Sequence, residues 1–360
     1  MNCLPSELLF KVLTHLPSKD LLKLRVVCKL WNSIICDRSF HQHHLDQLRK
    51  NNIGGFKYYL SSESSRYFSS VDIRSSETLA TTEKIELCKS YYDDSMEYSI
   101  MGYVDGVLLA RTVSFNNDEN GIFLWNPTLG KIVDIPLYGP LKEAPEVTFG
   151  FGFGLGSVSN GYKVVALSLE KNDLKIKVYN LDSRSWTSPK VKRGLIDNVK
   201  HFSSSRSVNF EGCVYWLAKA EITTGKTHYL CFNLSSEALT CAKLPDVKYV
   251  SRRHLAVLHK SLALVDESND DGRNNIGVWI RRRDSRTSCV FSWIELYNLD
   301  FGANTSFIYL MNDGNLYFNT LRKRVIVYDL KTGMLKPCSQ TSCRSIEFMD
   351  GFLGSLALLT

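Results

Sequence analysis

Apolar and polar positions follow two different periods along the chain, and the change falls near residue 50. Before it, Leu4, Leu8, Leu9, Val12, Leu13 and Leu16 recur at helical spacing and form one stripe. Pro5 suits the first turn of that helix, where a missing N–H costs nothing, and Pro17 ends the segment. Ser18 is the expected N-cap of a second short helix, with Asp20 in its first turn and Leu21, Leu22 and Leu24 as its apolar face. Val27, Leu30, Trp31, Ile34 and Ile35 make a third stripe. Asp37 is the expected cap of a fourth segment carrying Phe40, His44 and Leu45. Helices this short bury too little surface by themselves. Their remaining apolar surface belongs either against another protein or against the rest of this chain, and periodicity does not separate the two.

From about residue 55 the period becomes that of strands: short apolar runs broken by Gly, Asn, Asp and Ser. Leu174-Lys175-Ile176-Lys177-Val178 alternates with one apolar and one charged face, whereas Val325-Ile326-Val327-Tyr328 reads as a strand covered on both faces. No helical pattern follows residue 50, and residues 110–121 and 265–288 read as long loops.

The strand pattern repeats. Asn126, Asn180, Asn233, Arg281 and Asp329 each follow an apolar–aromatic strand end, in steps of 54, 53, 48 and 48 residues. Gly106, Gly161, Gly212, Ser261 and Gly314 each open a strand, in steps of 55, 51, 49 and 53. Two independent markers with one period near 50, interleaved in constant order, describe a kelch-sized propeller blade of three or four strands. Five blades are clear. Val71-Asp72-Ile73 begins an incomplete further blade, which the terminal strand from Gly351-Phe352-Leu353 through Leu358 is placed to complete as a sixth. The glycine doublet of true kelch repeats is absent.

Composition narrows the function classes. Hydrophobic residues make up 44% and charged residues 22% of the 360, as in ordinary globular proteins. No apolar stretch approaches the ~18 residues that span a bilayer, and the N-terminus lacks the pattern of a secretory signal, so a cytoplasmic or nuclear location is expected. The ten cysteines include no CxxC pair, which argues against a structural zinc site and fits a reducing compartment. Of the net charge of +7, the first fifty residues carry eight Lys/Arg against four acids, which favours an acidic partner there. Arg281, Arg282 and Arg283 read as a solvated loop, because no nucleic-acid-binding module accompanies them.

Several chemical signals fail on spacing. The run Gly150, Gly152, Gly154, Gly156 does not fit a phosphate-binding loop and is not followed by a helix. A strand whose backbone lies close to a neighbour fits better. His41, His43 and His44 lack nearby acidic or cysteine ligands, and Asp93-Asp94 and Asn269-Asp270-Asp271-Gly272 lack a full calcium loop. No nucleophile–base arrangement stands out. No cofactor or metal is expected.

Leu4-Pro5, Glu7-Leu8-Leu9, Leu16-Pro17, Leu21, Leu24-Arg25, Val27-Cys28-Lys29, Trp31 and Ser39-Phe40 occur in the order and spacing of the F-box, and residues 1–46 resemble that motif. The resemblance implies docking to the small SKP-type adaptor of an SCF ubiquitin ligase, and through it to the cullin and RING subunits. The adaptor-binding role carries over to Leu4, Pro5, Leu8, Leu16, Pro17, Leu21, Leu24, Val27, Cys28 and Trp31, among which contact and internal core are not distinguished. After residues 47–100, a linker and incomplete blade, residues 101–360 are similar to the plant F-box-associated domain, a kelch-like propeller. The likeness is carried by Leu124-Trp125-Asn126-Pro127-Thr128, Phe149-Gly150-Phe151-Gly152-Phe153, Gly161-Tyr162-Lys163-Val164-Val165, Ser185-Trp186, Tyr215-Trp216-Leu217 and Phe232-Asn233-Leu234. Fold class is therefore mainly β behind a small three-helix module. The implied function is a non-catalytic substrate-recognition subunit that holds a protein target on the propeller. A propeller enzyme, or a scaffold whose helical end is purely structural, are the competing readings.

Overall fold

The computed structural model describes residues 5–51, 56–61, 70–75, 81–87, 96–114, 121–137, 146–154, 161–170, 173–190, 199–202, 206–219, 227–247, 250–270, 273–283, 291–301, 305–320, 325–337, 346–352 and 354–358. Four helices come first: α1 (Ser6–Thr14), α2 (Ser18–Leu24), α3 (Lys29–Ile35) and α4 (Arg38–Asn51). The remaining elements among the described residues are strands, all paired antiparallel and gathered into six sheets.

Sheet 1 holds β1 (Phe56–Ser61), β2 (Ser70–Ser75) and β3 (Thr81–Glu86). Sheet 2 holds β4 (Met96–Val104), β5 (Val107–Ser114), β6 (Gly121–Asn126) and β7 (Lys131–Ile135). Sheet 3 holds β8 (Glu146–Gly154), β9 (Gly161–Glu170), β10 (Asp173–Asn180) and β11 (Ser185–Thr187). In sheet 4, β12 (His201–Phe202) and β13 (Val208–Phe210) both pair with β14 (Cys213–Lys219), followed by β15 (Thr227–Asn233) and β16 (Ala238–Lys243). Sheet 5 holds β17 (Val250–Leu258), β18 (Ser261–Asp270), β19 (Arg273–Arg283) and β20 (Phe291–Asp300). Sheet 6 holds β21 (Thr305–Leu310), β22 (Asn315–Thr320), β23 (Val325–Asp329) and β24 (Met334–Pro337). β25 (Ile346–Phe352) returns to sheet 1, where Phe352 pairs with Phe56 and Met349 with Tyr59. Five sheets thus come from consecutive stretches and the sixth is shared between the two ends of the domain. The strand expected to run on to Leu358 stops at Phe352; Leu353 lies outside the described residues, and 354–358 take another path.

Why the sheets stack is legible in their second strands. Val107, Leu108, Leu109 and Ala110 of β5 are all buried, as are Val164, Val165, Ala166 and Leu167 of β9. Successive residues of a strand point to opposite faces, so an unbroken apolar run demands cover on both sides. Leu109 packs with Val164 and Ala166 of the next sheet, whereas Leu108 packs with Leu87 and Ile100 on the other side. The same division places Val165 and Leu167 against Val214 and Trp216, then Tyr215 and Leu217 against Leu262 and Leu264, then Ala263 and Val265 against Leu316 and Phe318.

The first repeat marker is a turn. Asn126 Oδ1 accepts the N–H groups of Thr128 and Leu129, Asn180 those of Asp182 and Ser183, Asn233 those of Ser235 and Ser236, and Asp329 those of Lys331 and Thr332. Each carboxamide or carboxylate closes the hairpin between third and fourth strands. Arg281 breaks the series: it lies within β19, which runs on to Arg283, so the three arginines form a strand end and not the loop expected. The second marker is the hairpin between first and second strands, as at Asp105-Gly106 and Glu211-Gly212, where both residues take positive φ.

Neither expected long loop is a loop over its described part: residues 110–114 and 121 belong to β5 and β6, and residues 265–270 and 273–283 to β18 and β19, while 115–120, 271–272 and 284–288 lie outside the described residues. Polarity misled there because Asp266, Glu267 and Asn274 are buried and partnered. Arg253 Nε lies 3.1 Å from Asp266, and Glu267 accepts from Asn274 and from the Phe307 N–H of the next sheet. The glycine run, by contrast, is the close-approach strand its spacing suggested. A Cβ on Gly150 would strike Val214 and Trp216, one on Gly152 would strike Asn209 and Leu234, and one on Gly154 would stand 2.6 Å from the Leu234 carbonyl oxygen. Across the gap left by these glycines, Trp216 Nε1 donates to the Phe149 carbonyl and Asn209 to that of Phe151, at 3.2 Å each.

Gly152→Val should therefore lower stability by about 1–3 kcal/mol through overpacking between sheets 3 and 4, read as a fall in the thermal midpoint. Asn126→Ala should cost more than Asn233→Ala, on the order of 3 against ~1 kcal/mol, because Asn126 also donates to the buried Ser355 and Ala357 carbonyls, whereas Asn233 donates a weaker bond to Cys213 Sγ at 3.6 Å. Parallel denaturant titrations of the two variants check that order.

Candidate docking site

The helices form one small core. Leu9, Leu13, Leu21, Ile35 and Phe40 are buried together, with Phe10, Leu16, Leu22, Leu24, Trp31 and Ile34 packed around them. Pro5 and Pro17 each precede a helix and supply its first carbonyl acceptor, to Leu8 and Leu9 and to Asp20 and Leu21. Asp37 caps α4 as expected, accepting from the Ser39 hydroxyl and from the backbone of Phe40 at 3.2 Å and Ser39 at 2.8 Å; these bonds, the hydroxyl's above all, hold its carboxyl below the usual range. Ser18 is not a cap. It is the first helical residue of α2, buried, and its hydroxyl donates to the Gly354 carbonyl.

That contact belongs to a seat on the propeller. Leu356, from the segment after β25, is buried within the helical core, and Leu129 of the β6–β7 turn packs beside it. Arg49 of α4 meets Asp105 of the β4–β5 turn at 2.6 Å, and Arg38 meets Asp182 of the β10–β11 turn at 2.9 Å. The helical unit thus rests on the end of sheets 2 and 3 where these hairpins turn.

Seating covers only part of its apolar surface. Leu8 and Val12 of α1 are 49% and 56% exposed, and Val26, Val27 and Leu30 around the α2–α3 turn are 88%, 56% and 44% exposed. Pro5, Pro17 and Cys28 are exposed beside them, as are Lys23 and Lys29. Of the residues singled out from the sequence, Pro5, Leu8, Pro17, Val27 and Cys28 are open to a partner, and Leu16, Leu24 and Trp31 are partly so. Leu21 is fully buried and works inside the unit, since its side chain fills the centre of the four-helix core. Leu4 lies outside the described residues. Val12, Val26 and Leu30 are exposed apolar positions that the sequence reading did not single out. Val12 and Leu30 were legible as apolar positions but not as exposed ones, and Val26 falls off the helical stripe. Arg25 Nε donates to Asn32 Oδ1 at 2.9 Å, which fixes the α2–α3 turn that displays Val26 and Val27.

The three histidines of α4 do not converge. His41 Nε2, His43 Nδ1 and His44 Nε2 donate to the carbonyls of Ile35, Ser39 and Leu16 respectively, at 2.7–2.8 Å. His44 stacks on Phe40, and its Nδ1 is buried with no hydrogen-bond partner among the described residues. Burial pushes the imidazoles of His41 and His44 below their ordinary value. The unfolded chain then binds more protons than the folded one below the ordinary histidine range, so stability falls as pH drops through ~6.5, by at most ~1.4 kcal/mol per unit per histidine. Protection factors of α1 and α4 amides, taken relative to the intrinsic exchange rate at each pH, should fall between neutral and mildly acidic pH, and His44→Phe should reduce that fall.

Residues 1–47 match the F-box-like family model, and residues 58–343 match the model of the F-box associated beta propeller domain. Among curated relatives from Arabidopsis thaliana, Putative F-box only protein 9 is 26% identical over 317 residues, covering 84% of this chain and 77% of its own length. A putative F-box protein is 24% identical over 360 residues, covering 95% and 87%, and an F-box/kelch-repeat protein is 22% identical over 336 residues, covering 89% and 75%. No helix among the described residues is long and apolar enough to cross a membrane. A four-helix unit seated on sheets that close through their two ends, and family matches over both parts, lead to one conclusion: the chain belongs to the plant F-box proteins with a C-terminal F-box-associated β-propeller domain.

Proposed function

We propose that this protein is the substrate-recognition subunit of an SCF-type cullin–RING ubiquitin ligase. Its helical unit docks on an SKP-type adaptor while the propeller holds a protein target. The observation that carries the reading is the division of the helical unit. Part of it is fixed to the propeller, while Leu8, Val12, Val26, Val27 and Leu30 remain exposed, as do Lys23 and Lys29. Such a cluster of exposed aliphatic side chains is what a protein interface would cover. The exposed lysines suit an acidic partner.

The subunit performs no bond-making step in this reading. Holding a target beside an activated ubiquitin raises its effective concentration, and a fixed seat keeps that geometry from averaging out. The ligase then works in the cytoplasm or nucleus, and the chemistry belongs to its other subunits.

Purified SKP-type adaptor should co-elute with the intact chain, and Leu8→Asp combined with Val27→Asp should weaken that association at least about tenfold without lowering the thermal midpoint. Leu21→Asp, at a buried position, should instead unfold the helical unit. Full adaptor capture by the Leu8/Val27 variant would leave the alternative, a scaffold whose helices serve only their own propeller.

A further inference from the structure

Cys213 and Cys231 sit at diagonal positions of neighbouring strands in sheet 4. In the register of β14 and β15, Cys213 lies opposite Asn233, and Tyr215 lies opposite Cys231. Side chains alternate along a strand, so these four share one face, the face whose aromatic and apolar groups pack toward sheet 5. Both thiols are free and only partly buried. Cys241 of β16 is the contrast. It registers with Leu230 on the opposite face, packs on the core between sheets 3 and 4, and has its thiol pushed up by burial.

Three hydrogen-bond donors converge on the Cys213 sulfur. Asn233 Nδ2 donates to it at 3.6 Å. The direction of that amide is fixed, because Asn233 Oδ1 already accepts the N–H groups of Ser235 and Ser236. The Tyr215 hydroxyl accepts from Arg281 at 3.0 Å, which leaves its own proton for the sulfurs beside it. The Cys231 thiol is the third donor. A neutral thiol is a weak acceptor with little use for three donors, whereas a thiolate uses all of them. These bonds, that of Cys231 first, hold the Cys213 thiol below its ordinary range, and the Arg281 charge adds to them. The same bond, with burial, pushes Cys231 the other way, so it stays protonated. Burial likewise keeps the Tyr215 phenol a donor.

We propose that Cys213 is a redox-modification site, a thiolate cradled by Cys231, Tyr215 and Asn233 and oxidised by hydrogen peroxide. The sulfur attacks one peroxide oxygen: the S–O bond forms, the O–O bond breaks, and the departing hydroxide takes a proton from solvent to become water. Sulfur loses two electrons, peroxide gains two, and Cys213 is left as a sulfenic acid. Cys231 is a positioning residue in this step and not a resolving thiol. Diagonal positions of an antiparallel pair lie ~7–8 Å apart, beyond the ~7 Å that a disulfide spans between Cα atoms. Each strand is also paired on its other side, β14 to β13 and β15 to β16, so neither is free to slide closer. Neither adaptor docking nor target binding enters this chemistry.

The test treats the reduced full chain with iodoacetamide across a range of pH and follows each cysteine by peptide mass spectrometry. The midpoint of Cys213 labelling should lie at least about one pH unit below that of N-acetylcysteine, and that of Cys241 above it. Cys231→Ala should raise the Cys213 midpoint by at least about half a pH unit, and Cys231→Ser should restore part of it, because a hydroxyl still donates. A merely packing role for Cys231 would move the thermal midpoint and leave that profile alone. With hydrogen peroxide and dimedone, which traps sulfenic acids, the adduct should form on Cys213 and not on Cys241. A Cys213 midpoint at or above that of N-acetylcysteine, an unmoved midpoint in Cys231→Ala, no dimedone adduct on Cys213, or a Cys213–Cys231 disulfide after peroxide would each overturn the proposal. The wild-type measurements decide it even where a variant fails to fold.

Discussion

The side chain of Asn126 joins the β6–β7 turn to segment 354–358 at one buried point. Its oxygen closes the β6–β7 turn, while its nitrogen donates to the carbonyls of Ser355 and Ala357, at 3.2 and 2.7 Å. The Ser355 hydroxyl in turn donates to the Asp105 carbonyl, and the Asp105 carboxylate receives Arg49 from α4 and the Tyr162 hydroxyl from sheet 3. Burial together with the Asp105 charge pushes the Tyr162 phenol above its ordinary range, so it stays a hydrogen-bond donor. Asp105 is only 7% exposed, and a carboxylate that is nearly dry tolerates little less than full pairing. Segment 354–358 is thereby held as a wedge between helices and propeller, with Leu356 as its apolar tip.

The same economy recurs between the sheets. The interfaces between neighbouring sheets are mainly aliphatic and aromatic, and two of them also carry buried charged links. Lys163 is completely buried, yet its ammonium reaches the Leu234 carbonyl at 2.8 Å and Glu237 at 2.9 Å across the seam between sheets 3 and 4. Arg253 spans sheets 5 and 4 in the same way, toward Asp266 on one side and the Pro245 carbonyl on the other. The Asp266 carboxyl is raised to about 6, mainly by burial, so this link is weaker as a charge pair in mild acid than near neutrality. Seams built like this fix the angle between neighbouring sheets, because a sliding motion would strand a charge away from water.

Much of this was legible in the sequence, for reasons that can be named. Asn126, Asn180, Asn233 and Asp329 stood out because a hairpin that must turn after an aromatic strand end needs a short side chain that accepts from the backbone two and three residues on. Arg281 held the right spacing but not the right chemistry, and β19 accordingly runs past it. Helical spacing found the apolar stripes of α1 to α3, but it reports a face and not what covers it. Leu21 and Val27 are both apolar residues of the same motif, and the structure buries one and exposes the other. The described residues between 265 and 283 were misread because burial of Asp266 and Glu267 depends on Arg253 and Asn274 of the strands paired beside them and on Phe307 of the next sheet, a pairing that polarity alone does not reveal. Ser18 was misassigned for a similar reason: its acceptor, Gly354, is 336 positions away.

The wedge has a consequence for synthesis. The helices are made first, but the residues on which they rest include Gly354, Ser355 and Leu356, and sheet 1 lacks β25 until residues 346–352 have left the ribosome. For nearly the whole of translation, the N-terminal helices precede a ring that cannot yet close, and neither part has its final orientation. Contacts between residues so far apart in sequence form late. A chain cut short before residue 346 would carry an intact F-box-like segment on an unclosed ring, so this architecture makes completion of β25 the checkpoint for the entire molecule.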